Sequence, residues 1–406
     1  MMRKLFILVE GNLLRNLQKG LQTAVTPNVS QTAKLNSKKS VRKLLVMRSQ
    51  LSYRLCLSYC HKLGIKPVKK IKTLNAILLH VSPTANLIPL KKHAAVKRIE
   101  TDHKFKLHLL RKQPLLAKTK PVSLIRMGAC ASVQTNEIIP WGVGKVKANK
   151  VWQQTEGNQI RVAVLDTGIA QHPDLQTNGS FNAIEAKAVD DQNGHGTHVA
   201  GTITALRNKF GVVGVAPKVK LYAIKAFDAQ GVAYNSDIVE GIDWCMRNKI
   251  QIINMSFGSN RYSSSLHDII RRAYKQGIIM VASCGNSGKK SSQIDYPARF
   301  PETISVAATT QSDKITTFSS RGKGINVAAP GQGICSTYLN QTYTRLNGTS
   351  MAAPHVTGSA ALILSRFPKS TPQSIRLRLQ KSANRLHSYT SEEQGAGLIN
   401  VEKASK

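Results

Sequence analysis

Short runs of consecutive apolar residues alternate with helical stretches over the C-terminal two thirds of the chain. The runs are rich in β-branched residues, as in strands buried on both faces of a parallel sheet, and they cover 161–166, 220–227, 250–258, 278–286 and 303–309. Between them, apolar residues recur at helical spacing in 198–206, 236–248 and 265–277. This succession predicts an α/β fold with a doubly wound, mostly parallel sheet, whose functional groups lie at the carboxyl ends of the strands.

The N-terminal third has a different pattern. Residues 1–40 are polar and basic, which predicts a flexible tail. A small α+β pattern follows over 41–109: a strand or helix at 41–47, a helix at 52–64, a strand at 76–82, and a helix with an extended piece over 90–102. Two prolines and many cations over 110–135 indicate a basic linker, so the globular α/β domain is expected at 136–406.

Charge divides the chain at about the same place. The formal net charge is +37, and residues 1–130 contribute +24 of it, with 27 Lys and Arg against three acids. Such a region can hold nucleic acid or an anionic surface nonspecifically, but no zinc spacing or aromatic-rich basic repeat indicates a specific nucleic-acid site. The apolar start 5–9 is too short for a secretory signal, and no run is long enough to span a membrane.

The cysteine pattern gives no disulfide framework and no zinc site, since Cys56 and Cys60 form a lone CxxxC. Cys245, Cys284 and Cys335 are expected to be small buried thiols. Free cysteines and the missing signal favour a cytoplasmic or non-classically exported protein, so the compartment stays open.

One stretch, residues 347–367, joins turn chemistry to a helix that is small and apolar almost throughout. Asn347 and Gly348 suit a tight turn. Small neighbours leave Ser350 clear on the first turn, where unpaired N–H groups and the helix dipole favour negative charge. A serine nucleophile needs that environment because an oxyanion forms beside it. The alternative is an ordinary N-cap serine.

Three further polar residues lie where a parallel sheet places its site residues. Asp166 ends the first strong strand, which suits a helix cap, a sugar ligand or a carboxylate that orients a catalytic group. His195 lies between two glycines at a helix start, where its ring is accessible as a general base. His198 follows one helical turn later, so the two histidines could alternatively be ligands of a metal ion. Asn286 follows another strand end, where its amide suits a turn or donation to an oxyanion.

Together these residues fit one mechanism of acyl transfer. Asp166, His195 and Ser350 occur in one of the known orders of a catalytic triad. Ser350 attacks the acyl carbon, His195 takes and returns the proton, and Asp166 fixes the imidazole tautomer. Asn286 and the backbone N–H of Ser350 bind the oxyanion.

Three motifs carry a family resemblance. VAVLDTGIAQHPDL, NGHGTHVAGT and NGTSMAAPHVTG resemble, in order, the signature blocks of the subtilisin-like serine peptidases, and IINMSFG, GNSG and GAGLINVEKA resemble intervening and closing segments. The similarity covers about residues 136–404. It implies a three-layer α/β/α fold and endopeptidase cleavage of extended polypeptides. Substrate backbone is then expected to add as a strand beside two edges, Gly231, Val232 and Ala233 on one side and Ser256, Phe257 and Gly258 on the other.

The resemblance also implies a structural Ca²⁺ site with six oxygen ligands, as this cation prefers. Its expected ligands are the side chains of Glu137, Asp174 and Asn208 and the carbonyls of Leu206, Phe210 and Val212. Glu137 adds a charge where the family more often has a neutral amide. The alternative is that Asp174 only caps a turn.

Residues 41–109 resemble the inhibitor prodomain of these peptidases, on the segments NAILLHVS and VKRIETDHKFKLH. Such domains template folding and block the cleft until they are removed, which implies synthesis as a zymogen. A prodomain also suits export, so a secreted protein stays an alternative to a cytoplasmic or non-classically exported one. The prodomain is unusually basic, and the connection from 102 to 140 is longer than the family's. The processing site is expected within 126–136.

Asp295 falls where the family's primary specificity pocket often has a small residue. A carboxylate there is suited to pair with a substrate Arg or Lys, and the alternative is a rim residue that faces solvent.

Two other functions are considered beside the peptidase. One is a catalytically silent relative that serves as a binding module, and the other is nucleic-acid binding by the basic N-terminal region. The expected partners are polypeptide substrates and the chain's own prodomain, with the protein as a monomer.

Overall fold

The computed structural model describes residues 16–23, 40–107, 130, 136–184, 189–290 and 292–406. The chain divides into two compact units, residues 1–103 and 104–406. Most of the predicted linker 110–135 lies outside the described residues. Residues 104–107, predicted as the end of the first domain, group with the second unit.

The first unit contains a four-stranded antiparallel sheet with the order β2-β3-β1-β4. Its elements are α1 (residues 16–23), β1 (Val41–Met47), α2 (Gln50–Lys62), β2 (Lys69–Ile71), β3 (Ala76–Val81), α3 (Ile88–Lys92) and β4 (Val96–Thr101). The stretch 41–47 is therefore a strand, and the predicted helix followed by an extended piece over 90–102 agrees with the structure, where α3 ends at Lys92 and β4 begins at Val96. The hydroxyl of Ser49 caps α2 by accepting the N–H of Ser52 at 3.1 Å.

The core of this unit lies between the sheet and its helices. Leu45, Leu79 and Cys56 belong to it, and so do Leu17 and Leu21 of α1, which are almost fully buried. The predicted tail is wrong for residues 16–23, because two leucines four residues apart give this helix an apolar face that packs into the core. The remainder of 1–39 lies outside the described residues.

The second unit contains a seven-stranded parallel sheet with the order β13-β12-β11-β10-β6-β8-β7. Its strands are β6 (Arg161–Asp166), β7 (Thr177–Asn182), β8 (Lys220–Lys225), β10 (Ile252–Met255), β11 (Ile279–Ser283), β12 (Ile304–Thr309) and β13 (Val327–Pro330). Five of these strands were predicted from the sequence. The polar strand β7 and the short strand β13 were not, because both lie at sheet edges and lack a long apolar run.

Helices and short strands complete this unit. They are β5 (Lys104–Lys106), α4 (Trp141–Lys145), α5 (His195–Thr204), β9 (Val232–Tyr234), α6 (Asn235–Arg247), α7 (Ser264–Lys275), β14 (Ile334–Thr337), β15 (Tyr343–Leu346), α8 (Thr349–Arg366), α9 (Pro372–Lys381), α10 (Ser391–Gln394) and α11 (Val401–Ala404). The helices flank the parallel sheet, so the predicted three-layer α/β/α fold is confirmed. Among the described helices, none is long and apolar enough to cross a membrane.

Helix α8 is the longest of the described helices and is buried over most of its length. Every residue from 349 to 364 is buried, and the helix packs on strands β10, β11, β12 and β13 and on α5. At Gly358 an added Cβ would lie 2.6 Å from the Cβ of Val215, so the lack of a side chain lets the backbones approach closely. The core of the second unit therefore fixes the helix on which Ser350 lies.

The cysteines differ from the prediction at one position. Cys130 and Cys335 form a disulfide, so the reading of Cys335 as a buried thiol is wrong, whereas Cys245 and Cys284 are buried thiols as predicted. The bonded residues are separated by 205 positions, which no local spacing signals. The disulfide packs with Ala205, Val212 and Tyr343.

We predict that this disulfide stabilises the second unit. In a Ser350→Ala background, which prevents autolysis, a thiol reductant should lower the thermal midpoint by several degrees, because a crosslink of this kind contributes about 2–4 kcal/mol. Calorimetry of Cys335→Ala supplies the control, since its midpoint should not respond to the reductant. An equal response of both proteins would contradict the prediction.

Candidate active site

Asp166 and His195 form a hydrogen-bonded pair at the carboxyl end of the sheet. Asp166 is the last residue of β6 and is fully buried, and His195 is the first residue of α5. The Oδ1 atom of Asp166 lies 2.8 Å from Nδ1 of His195. The N–H of Thr167 also donates to this oxygen, at 2.8 Å, which fixes the carboxylate on its strand.

The first turn of α5 is held by a second buried carboxylate. One oxygen of Asp191 accepts the N–H groups of Asn193 and Gly194, and the other accepts the N–H and hydroxyl of Thr197. Gly194 has φ +94°, and an added Cβ would clash with the ring of Tyr338. The position before His195 therefore requires glycine on steric grounds. Sequence reasoning missed Asp191, although it lies four residues before His195 at a helix start, where a capping acid is common.

The pKa of His195 is raised above its ordinary value. Burial has the largest influence and opposes the charged imidazolium, but the charge of Asp166, the hydrogen bond that the ring donates to it and the charge of Asp191 together outweigh burial. The ring is therefore suited to accept a proton. Its Nε2 atom is buried and has no hydrogen-bond partner among the described residues, so this atom can accept one.

Ser350 lies in the first turn of α8 and is joined to the end of β10 by reciprocal hydrogen bonds. Its hydroxyl donates to the carbonyl of Ser256 at 2.9 Å, and the hydroxyl of Ser256 donates to the carbonyl of Ser350 at 2.8 Å. Pro354 explains the second bond: it has no N–H to donate to the carbonyl four residues before it, so the carbonyl of Ser350 accepts from Ser256 instead. In this structure the Ser350 hydroxyl is thus bound to Ser256.

Asn286 is fixed beside the start of α8. Its Oδ1 accepts the N–H and the hydroxyl of Thr349, at 3.0 and 2.8 Å. The amide nitrogen consequently points toward Gly348, where an added Cβ would lie 3.3 Å from Nδ2. This places an N–H donor next to the backbone of the predicted nucleophile.

His198 does not share a site with His195. Its Nε2 lies 2.9 Å from the carbonyl of Ile334 and 3.2 Å from that of Thr344, so the ring attaches α5 to the hairpin of β14 and β15. Burial lowers the pKa of His198 to about 3. The histidine pair is therefore not a metal pair.

The predicted substrate edge carries a strand of the chain itself. Strand β5 pairs antiparallel with β9, with Lys104 opposite Tyr234, Phe105 opposite Ala233 and Lys106 opposite Val232. The N–H of Leu107 then donates to the carbonyl of Gly231 at 2.9 Å, and Lys106 forms an antiparallel bridge with Gly258. The segment 104–107 thus lies between the two predicted edges.

Phe105 anchors this segment. It is 2% exposed, and its ring meets that of Phe257 edge-on at 6.4 Å between centroids. Phe227 packs behind Phe257 at 4.9 Å, so an aromatic pocket receives the side chain.

Asp295 lies beside Gly285, the residue that precedes the predicted oxyanion donor Asn286. Its N–H donates to the carbonyl of Cys284, and an added Cβ on Gly285 would lie 2.5 Å from its Oδ2. Asp295 is only 8% exposed. Its carboxylate is therefore buried beside the loop that carries Asn286, and the alternative of a solvent-facing rim residue is wrong.

A second polar cluster contains the three side chains predicted for calcium. Asp174 is fully buried, and it accepts from Asn208 Nδ2 at 3.0 Å, from the N–H of Val212 at 3.0 Å and from the hydroxyl of Tyr343 at 3.1 Å. Glu137 accepts the N–H of Asn208 at 2.7 Å. Burial raises the pKa of Asp174 to about 6, so its charged form would gain from a cation.

The carbonyls predicted to complete that cluster are open. Within the described part of the chain, no hydrogen bond is donated to the carbonyls of Leu206, Phe210 or Val212. The described residues contain no group of three or more His, Cys, Asp and Glu side chains suited to a metal. A site built from two carboxylates, an amide and carbonyls is of a different kind, and it suits a hard cation with oxygen ligands.

Comparison with known proteins gives consistent matches. A family model described as "Subtilase family" matches residues 157–397, which include Asp166, His195, Asn286 and Ser350. Subtilisin DY of Bacillus licheniformis is 45% identical over 275 residues, 66% of this chain and 100% of that protein. A thermostable alkaline protease of Halalkalibacterium halodurans is 42% identical over 278 residues, 68% of this chain and 76% of the relative. Subtilisin BL of Lederbergia lenta is 42% identical over 270 residues, 66% and 99% of the two chains.

Proposed function

This chain belongs to the subtilase family of serine peptidases, and we propose that it is an endopeptidase that acts through Asp166, His195 and Ser350. The observation that carries the proposal is the buried Asp166–His195 pair at 2.8 Å, with Nε2 of His195 left to accept a proton. The Ser350 hydroxyl leaves the carbonyl of Ser256 by a rotation about χ1 and donates to that nitrogen when substrate binds.

The reaction then follows from the positions of these groups. Ser350 Oγ attacks the peptide carbonyl while its proton passes to Nε2 of His195, and Asp166 stabilises the resulting imidazolium. His195 returns the proton to the leaving amine, and water hydrolyses the acyl-enzyme by the reverse sequence. The amide of Asn286 and the N–H of Ser350 bind the oxyanion. Loss of one such donor costs about 10²–10³ in kcat, a figure known from a subtilisin.

Strand addition explains how an extended polypeptide binds. Segment 104–107 uses main-chain hydrogen bonds to β9 and Gly258, which do not depend on side-chain identity. We infer that substrates take the same path, with a bulky apolar side chain in the place of Phe105. The first unit then acts as the prodomain, and the enzyme is made as a zymogen whose own chain fills the cleft.

This path also bears on the processing site. Because Leu107 is hydrogen-bonded to the substrate edge, we propose a first cut within the next one or two residues. The predicted site within 126–136 stays a prediction for a later cut. A cut beyond Cys130 differs from the first cut in one respect, because it leaves the preceding peptide attached to Cys335 through the disulfide.

Mass spectrometry of purified protein under reducing and non-reducing conditions tests this proposal. We expect wild-type protein to lose its N-terminal region with a new terminus just after residue 107 or 108, and Ser350→Ala to stay full-length because the cut needs the nucleophile. Identical processing of both proteins would contradict self-cleavage, and an intact wild-type chain would favour the silent binding module.

We further propose that Glu137, Asp174 and Asn208 hold a structural Ca²⁺ with the carbonyls of Leu206, Phe210 and Val212. Asn208 donates hydrogen bonds to both carboxylates, and the side chain of Asp174 is fully buried, which supports this. The bound cation would offset the charge of Asp174 and join the loop after α5 to the segment at Glu137. It has no part in the chemical steps.

Chelation tests the calcium proposal. Excess chelator should lower the thermal midpoint of Ser350→Ala protein by several degrees, because a ligand that binds only the folded state stabilises it. Asp174→Asn should start from a lower midpoint and not respond to chelator. An unchanged midpoint of the parent protein in chelator would count against the site.

Asp295 gives the basis for a preference at the residue before the cut. We propose that its buried carboxylate pairs with a substrate Arg or Lys that enters beside Gly285. In matched peptides that differ only at the residue before the cut, the wild-type enzyme should prefer Arg over Phe. Asp295→Asn should lower kcat/KM for the Arg peptide by about 10–100-fold and change kcat/KM for the Phe peptide little. A clear preference of the wild-type enzyme for Phe would exclude this role.

A further inference from the structure

A buried lysine lies one strand away from the proposed catalytic aspartate. Lys225 is the last residue of β8, pairs in register with Asp166 of β6 and is 2% exposed. An ammonium group in such a place is costly unless hydrogen bonds and opposite charges compensate it. The partners of Lys225 therefore indicate what it does.

The Nζ atom of Lys225 joins two segments that support His195. It donates to the carbonyl of Thr167 at 2.6 Å and to the carbonyl of Asp190 at 2.9 Å. Thr167 follows Asp166, and its hydroxyl accepts the N–H of Gly196 in the first turn of α5 at 3.0 Å. Asp190 precedes Asp191, the carboxylate that holds the same turn.

Lys225 is also the cation among the charges around His195. It interacts with Asp166 on β6, with Asp190 and Asp191 in the segment before α5, and with Asp228 in the loop after β8. The ring of His195 is influenced by Asp166 and Asp191, and His198 is the other titratable group on α5. A positive charge among four carboxylates reduces the negative potential at the imidazole.

We propose that Lys225 is a positioning residue of the peptidase site. It fixes the backbone at Thr167 and Asp190, and so the geometry of the Asp166–His195 pair, and it limits how strongly the surrounding carboxylates favour the imidazolium. This inference rests on the proposed function. It predicts that Lys225 sets the lower pH limit of activity without touching substrate.

The pH dependence of kcat/KM tests the proposal with Lys225→Met, which keeps the side-chain volume and removes the charge. The acid limb should move to higher pH by about 0.5–1 unit, because an uncompensated carboxylate field raises the pKa of His195. At the plateau kcat should fall about tenfold, and KM should stay within about twofold. Lys220→Met, at the other end of the same strand, is the control and should leave the profile unchanged. An unmoved acid limb in Lys225→Met would overturn the proposal.

An NMR titration of the His195 ring in Ser350→Ala protein measures the same shift in the pKa of His195 without depending on activity. If the ring titrates as expected but the wild-type chain cleaves nothing, the proposed function fails while the role of Lys225 stands.

Should Lys225→Met alone not fold, the substitution is made in a second background, Asp191→Asn, which removes one of the carboxylates near Lys225. Asp191→Asn alone should lower the pKa of His195, and adding Lys225→Met should raise it again. Failure of the double variant to fold, or an unchanged pKa on adding Lys225→Met, would overturn the positioning role.

Discussion

The site depends on the attachment of helix α8 to the end of strand β10. Ser256 and Ser350 exchange hydrogen bonds between a hydroxyl and a carbonyl in both directions, and Pro354 leaves one of those carbonyls free to accept. The hydroxyl of Ser256 also accepts a hydrogen bond from the side-chain amide of Asn254. The side-chain oxygen of Asn254 in turn accepts one from the hydroxyl of Thr357, which lies on α8. A buried helix with two such attachments cannot slide along the sheet, so the serine stays at the strand ends where Asp166 and Asn286 also lie.

Buried charge is the second constraint. Asp166, Asp174 and Asp191 are each almost fully removed from water, and each accepts hydrogen bonds from N–H or O–H donors. At Asp166 only Oδ1 accepts them, and within the described part of the chain its buried Oδ2 has no partner. Burial of a carboxylate is tolerated only with such compensation. At Asp166 and Asp191 the compensating groups also position His195, whereas at Asp174 they join separate loops. The need to compensate a buried carboxylate thus orients His195 at Asp166 and Asp191, and it holds separate loops together at Asp174.

The sequence allowed the α/β fold and most of the central strands to be predicted, because buried parallel strands have unmistakable apolar runs. The site residues lie in local motifs, where glycine, aspartate and serine have positions that short-range chemistry explains. Other features depend on distant contacts. Cys335 pairs with a residue 205 positions away, and Lys225 is an ordinary strand lysine until its neighbours are known. The packing of α1 and the strand at 104–106 likewise depend on surfaces that no local pattern encodes.

The central claim is that Ser350 is a nucleophile activated by His195. Labelling with a serine-directed phosphonate, followed by peptide mass spectrometry, tests it most directly. The account predicts one adduct on processed wild-type protein, located on Ser350, and no adduct when His195 is replaced by alanine in protein that is folded and freed of its N-terminal region in trans. An unlabelled Ser350 in the wild-type protein, or equal labelling without His195, would contradict it.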